Sequence, residues 1–146
     1  MSQPEHQRIA RNWFLRPLKD WEEAQTLAQE DSESPNAVWL TQQAVEKALK
    51  SLLLLNQIPF RRIHDLEQLR TLLPRKYRLR RVPKDLSLLS QRGMESRYPG
   101  EYDPIHKRDV SLAMLRGAKV IELLHKEFDP LVLHRIDPLT GKPYRK

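Results

Sequence analysis

An all-α fold, an antiparallel up-and-down bundle of four to five helices, is what this 146-residue sequence predicts, and three observations carry it. Apolar side chains recur three and four residues apart through long stretches, the spacing that lines one side of a helix. Only four glycines interrupt the chain, β-branched runs are few, and no stretch alternates with the period of two that a strand requires. Prolines and capping residues cut the periodic stretches into lengths that suit a bundle joined by short connections.

The first helix is expected from about Gln7 to Asp31, with Phe14, Leu18, Trp21 and Ala28 on one side and Trp13, Ala24 and Leu27 broadening that face. Pro17 falls inside it and should kink it or shift its register, because proline lacks the N–H and crowds the preceding turn. The segment EDSESP, residues 30–35, reads as the first turn. Ser34 as N-cap and Pro35 at the first helical position then open a second helix. Its stripe is Ala37, Leu40, Ala44, Ala48, Leu52 and Leu55, with Gln43, Glu46, Lys47 and Lys50 elsewhere on the cylinder.

Asn56, Gln57 and Pro59 stop that helix at about residue 57. Asp65 followed three residues later by Gln68 reads as a capping box opening a third helix that ends at Leu73, before Pro74. A basic link follows. A further helix from about Lys84 to Arg97 turns Leu86, Leu89 and either Gly93 or Met94 inward, and Tyr98, Pro99 and Gly100 break it. The last helix is expected to start with Asp103 as N-cap and Pro104 at its first position and to run to about Phe128, on a stripe of Val110, Ala113, Gly117, Ile121, Leu124 and Phe128. Residues 1–128 therefore form the bundle. Residues 129–146, rich in proline and ending basic, are expected to form an extended tail whose Leu131, Val132, Leu133 and Ile136 should pack on the bundle or on a partner.

This length buries a core without staples. The absence of cysteine excludes a disulfide framework, a thiol nucleophile and a cysteine zinc site, and suits a reducing cytoplasm. The N-terminus carries charges where a secretory signal needs an unbroken apolar region, and the longest apolar run is Leu52 to Leu55, so a soluble, non-membrane protein is expected. Basic residues outnumber acidic ones by 26 to 19, for a formal charge of +7. The excess concentrates in RKYRLRRVPK, residues 75–84, which has six basic residues and no acidic one. A polyanion, an acidic partner protein and a solvated loop all account for such a run.

The core of the second helix, QQAVEKALKSLLL, its exit NQIPFRRIHDLEQL and the later ESRYPGEYD lie in that order within residues 37–103. In this order and spacing the chain resembles the HEPN domain, a family of small helical proteins named for higher eukaryotes and prokaryotes nucleotide-binding. The resemblance implies a helical bundle, a homodimer, and partnership with a minimal nucleotidyltransferase in a toxin–antitoxin or defence-type module, with nucleotide or RNA as ligand. Surplus apolar residues such as Trp39, Leu54 and Leu112 are compatible with a dimer and equally with a completed core.

Many members of the family are metal-independent ribonucleases marked by an arginine, four to six residues, and a histidine. That spacing is absent here: Arg97 and His106 have eight residues between them, as do Arg116 and His125. A ribonuclease of this kind needs a base for the ribose 2′-hydroxyl and a cation for the phosphorane-like transition state, so His106 and Arg97 are the catalytic candidates. Arg97 also suits a helix C-terminus, and His106 a helix start. In one branch of the family a tyrosine near the catalytic motif is AMP-modified, which makes Tyr98 and Tyr102 candidates. Packing of the turn is the ordinary role of such tyrosines.

His64 and Asp65 are adjacent, but Asp65 reads as the helix cap and His64 as a loop residue. No histidine has ligand spacing and no acidic cluster supplements one, so no metal and no cofactor are expected. Without a glycine-rich phosphate loop, a nucleotide or RNA must be held by basic side chains or helix N-termini, and Lys47, Lys50, Arg78, Arg80 and Arg81 are the candidates. Three readings stay open: a nucleotidyltransferase-linked HEPN protein, a ribonuclease toxin, and a noncatalytic module that binds RNA or protein.

Overall fold

A computed structural model describes residues 3–128, all of them in helices, turns and connecting loops, with no strand among the described residues. Helix α1 spans Gln3–Glu30, α2 Pro35–Leu55, α3 Leu66–Thr71, α4 Ser87–Glu95 and α5 Lys107–Phe128, with a 3-10 turn at Arg78–Arg80. The expected tail, residues 129–146, lies outside the described residues. Among those residues no helix is long and apolar enough to cross a membrane.

Helix α2 is the centre of the bundle. It packs along α1, and α5, α4 and α3 close around its remaining sides. Thirteen of its 21 residues are buried, so burial encircles the helix and is not confined to one stripe. Ala37, Ala44, Ala48 and Leu52 are fully buried as their spacing requires, and Val38, Val45, Leu49 and Leu53 are buried on other faces. Thr41 and Ser51, also buried, donate their hydroxyls to the carbonyls of Ala37 and Ala48 at 2.8 and 2.7 Å, so neither is left unsatisfied. Glu46 and Lys50, expected away from the apolar stripe, are inside as well.

The capping signals hold at two starts. Ser34 Oγ accepts from Ala37 N at 3.1 Å, and Asp65 Oδ1 accepts from Gln68 N at 2.9 Å. Helix α2 ends in the two crossed hydrogen bonds of a Schellman motif, Ile58 N to Leu53 O at 2.9 Å and Gln57 N to Leu54 O at 3.1 Å. Gln57 occupies the left-handed position with φ 55°.

Two helix starts need correction, and the choice between Gly93 and Met94 is resolved. Helix α1 begins at Gln3 and runs through Pro17 without a break, and Pro17 is buried against the rest of the fold. Helix α5 begins at Lys107, not at Asp103–Pro104; Val110 N donates to His106 O, and Asp109 folds back so that its Oδ2 accepts from His106 N at 2.8 Å. In α4 the inward residue is Gly93, while Met94 is exposed. A Cβ on Gly93 would lie 2.6 Å from Gln42 Cβ, and that close approach of α4 to α2 is what excludes a side chain there.

The basic segment 75–84 is also more ordered than a solvated link. Tyr77 and Leu79 are buried in the core, Arg80 Nη1 donates to Leu73 O at 3.0 Å, and Tyr77 Oη accepts from Asn56 Nδ2 at 2.8 Å. Buried Arg70 donates to the carbonyls of Pro83 and Lys84 and to Glu67 Oε1, which in turn accepts from Leu86 N at 2.7 Å.

Candidate functional site

Near the close approach at Gly93, α2, α4 and the loop before α3 border an open cleft of about 790 Å³, inside the range usual for small-molecule sites. Its walls come from α2 (Trp39, Gln42, Gln43 and Glu46), from α4 with its start (Ser87, Ser90, Gln91 and Met94), and from the loop before α3 (His64 and Asp65). Helical spacing places the α2 residues: positions 39, 42, 43 and 46 share one side of the cylinder.

One end of the cleft is built on a buried charge pair. Glu46 and Lys50 are each only 8% exposed, and Lys50 Nζ donates to Glu46 Oε2 at 3.0 Å. The same oxygen lies 3.2 Å from His64 Nδ1, while Glu46 Oε1 accepts from Gln42 Nε2 at 3.2 Å. Phe60 braces this end, with Lys50 Nζ 5.4 Å above its ring centroid and Trp13 edge-on at 6.1 Å. At the other end Arg97 lies over the Trp39 indole, 4.6 Å from the ring centroid, a cation–π contact at an exposed position.

Behind the cleft, Arg92 ties the loop that follows α4 to the start of α5. Its guanidinium donates to Asp109 Oδ1 and Oδ2 at 3.3 and 3.1 Å, to Glu95 Oε1 at 2.7 Å and to Pro104 O at 2.8 Å. Asp109 raises the pKa of Arg92 further. Burial pushes the Asp109 carboxyl up, but hydrogen bonds from Arg92 and from the His106 N–H outweigh it and hold it below the ordinary value. Hydrogen bonds from Arg92 and Gln91 hold Glu95 low.

The ribonuclease candidates fall on different contacts. Arg97 is on Trp39, His106 Nε2 is 3.1 Å from Asp103 Oδ2, and among the described residues no hydrogen bond or ion pair joins Arg97 to His106. Tyr98 and Tyr102 are both exposed, their rings edge to face at 6.5 Å. Lys47 pairs with Asp20 at 2.6 Å on α1, and Lys50 is held inside by Glu46. Arg78 and Arg81 are exposed, whereas Arg80 is half-buried. Among the described residues no group of histidine and carboxylate side chains has the arrangement to hold a metal ion.

Sequence reasoning passed over the Glu46–His64 contact and the Trp39 platform. The available signal was a Glu–Lys pair four apart among the alanines and leucines of α2, since such a pair, once buried, needs further partners. Which loop residue meets it is a tertiary matter.

A protein-family model described as the HEPN domain matches residues 10–127. No curated protein and no solved structure gave a match. The match spans most of the chain, the five helices are those of a HEPN bundle, and on that ground the chain belongs to the HEPN domain family.

Proposed function

We propose that this HEPN protein binds a nucleotide or RNA in the α2–α4 cleft and works as a homodimer beside a minimal nucleotidyltransferase in a toxin–antitoxin or defence-type module. The observation that carries the ligand is the lining of the cleft, which sets an indole, three side-chain amides, two serine hydroxyls and an imidazole beside the Glu46 and Asp65 carboxylates and Met94, with the Arg97 guanidinium on the indole face. Indoles stack on bases, amides read base edges, and arginine meets phosphate. The partnership and the dimer rest on the family, and exposed Leu88, Leu112 and Leu115 on α4 and α5 supply apolar surface for a protein contact.

Titration of the purified protein with nucleoside monophosphates and short RNA tests the ligand. Micromolar to millimolar binding, abolished by Trp39→Ala, is expected; binding that Trp39→Ala leaves unchanged overturns the assignment of the cleft. Co-expression with the nucleotidyltransferase encoded nearest to it tests the partnership, with a stable co-purifying complex as the expected result.

A further inference from the structure

The two ends of the cleft differ in chemistry. His64 Nδ1 lies 3.2 Å from Glu46 Oε2, an acceptor, and 3.4 Å from Lys50 Nζ, a donor, so the buried pair holds this nitrogen in either tautomer of the ring. With Nδ1 held in this way, Nε2 is the ring nitrogen left for a ligand. The His64 side chain is 71% exposed and lines the cleft. Lys50 cancels the charge of Glu46, and the Asp65 carboxylate borders the same end. That end accepts hydrogen bonds and repels phosphate.

The other end is cationic. Among the described residues no carboxylate forms an ion pair with Arg97, and the Trp39 ring beneath it positions the guanidinium without neutralising it. Trp39 and Glu46 are seven residues apart on α2, about 10 Å at the helical rise per residue.

We propose that the cleft takes a nucleoside phosphate in one orientation, with the phosphate at Arg97 and a polar group of the sugar or base hydrogen-bonded to His64 Nε2. Glu46 and Lys50 act as positioning residues that hold the His64 ring at this end. This inference rests on the reading of the cleft as a nucleotide site.

The test compares four nucleoside monophosphates with their four nucleosides by NMR titration, for the unaltered protein, Arg97→Ala and His64→Ala. Arg97→Ala is expected to weaken the monophosphates roughly tenfold or more while leaving the nucleosides unchanged, so that the preference for phosphate collapses. His64→Ala is expected to weaken both series together and keep that preference. A preference that disappears in His64→Ala and survives in Arg97→Ala, or that survives in both, overturns the orientation while the nucleotide site stands. Failure of the unaltered protein to bind any of the eight compounds overturns the site itself.

Discussion

Arg92 grips Asp109 with two nitrogens, Nε 3.3 Å from Oδ1 and Nη2 3.1 Å from Oδ2, joining α4 to α5 through a bidentate pair that is almost wholly buried. The Pro104 carbonyl fills a further donor, so one side chain sets the path of residues 96–106, the segment that carries Arg97, Tyr98, Tyr102 and His106.

Removing this guanidinium leaves two carboxylates without their partner. Arg92→Met, which keeps most of the volume, is expected to lower unfolding stability by about 3 kcal/mol, the usual cost of breaking a buried pair from one side. Urea denaturation measures it. A loss under about 1 kcal/mol would show the network to be incidental.

The same network gives the fold an acid limit. Asp109 and Glu95 have folded-state pKa values below those of the unfolded chain, so the stability they contribute is present above about pH 4 and is lost as pH falls below it. The urea midpoint should drop between pH 5 and pH 3, and the drop should be shallower in Arg92→Met. Equal slopes in the two proteins would contradict this assignment.

Gly117 sits where α5 crosses α1 and α2, and a Cβ there would lie 2.4 Å from Trp21 Cζ3 and 2.8 Å from Thr41 Cγ2. Gly117→Ala is expected to destabilise by about 1–3 kcal/mol, although alanine is the better helix former by about 1 kcal/mol. Thermal unfolding gives the sign, and an increase in Tm would mean that the Trp21 ring yields freely.

Gln57 holds the left-handed position that ends α2. Gln57→Gly is expected to stabilise by about 0.5 kcal/mol and Gln57→Val to destabilise by about 1 kcal/mol, since a branched Cβ is poorly tolerated there. Denaturant midpoints of the two variants should move in opposite directions.

Incubation with total RNA in the absence of metal should give no cleavage beyond that seen with Arg97→Ala or His106→Ala, because Arg97 engages Trp39 while His106 engages Asp103. Cleavage by the unaltered protein that is abolished in both variants would establish the ribonuclease reading instead. If RNA binds without being cut, charge reversal at exposed Arg78 and Arg81 should weaken it and reduce the salt slope by about 1 for each phosphate that is no longer neutralised. Arg80 is a poor probe of binding, since it supports the Leu73 carbonyl.

What the sequence by itself determined is whatever depends on neighbours along the chain. Periodicity and caps located five helices, Ser34 and Asp65 identified two starts, and the order of three short segments identified the family. Where local signals competed the reading slipped: Asp103–Pro104 has the form of a helix start, but Asp109 reaching back to His106 N begins α5 three residues later. A single stripe was drawn on α2 because periodicity marks the strongest face of a helix. It does not reveal that three other helices also close on it. Only tertiary structure decided that Glu46 and Lys50 are inside, that His64 meets them from a loop 18 residues from Glu46, and that Arg97 rests on Trp39. Those contacts join residues far apart in sequence, and their partners are chosen by how the helices pack.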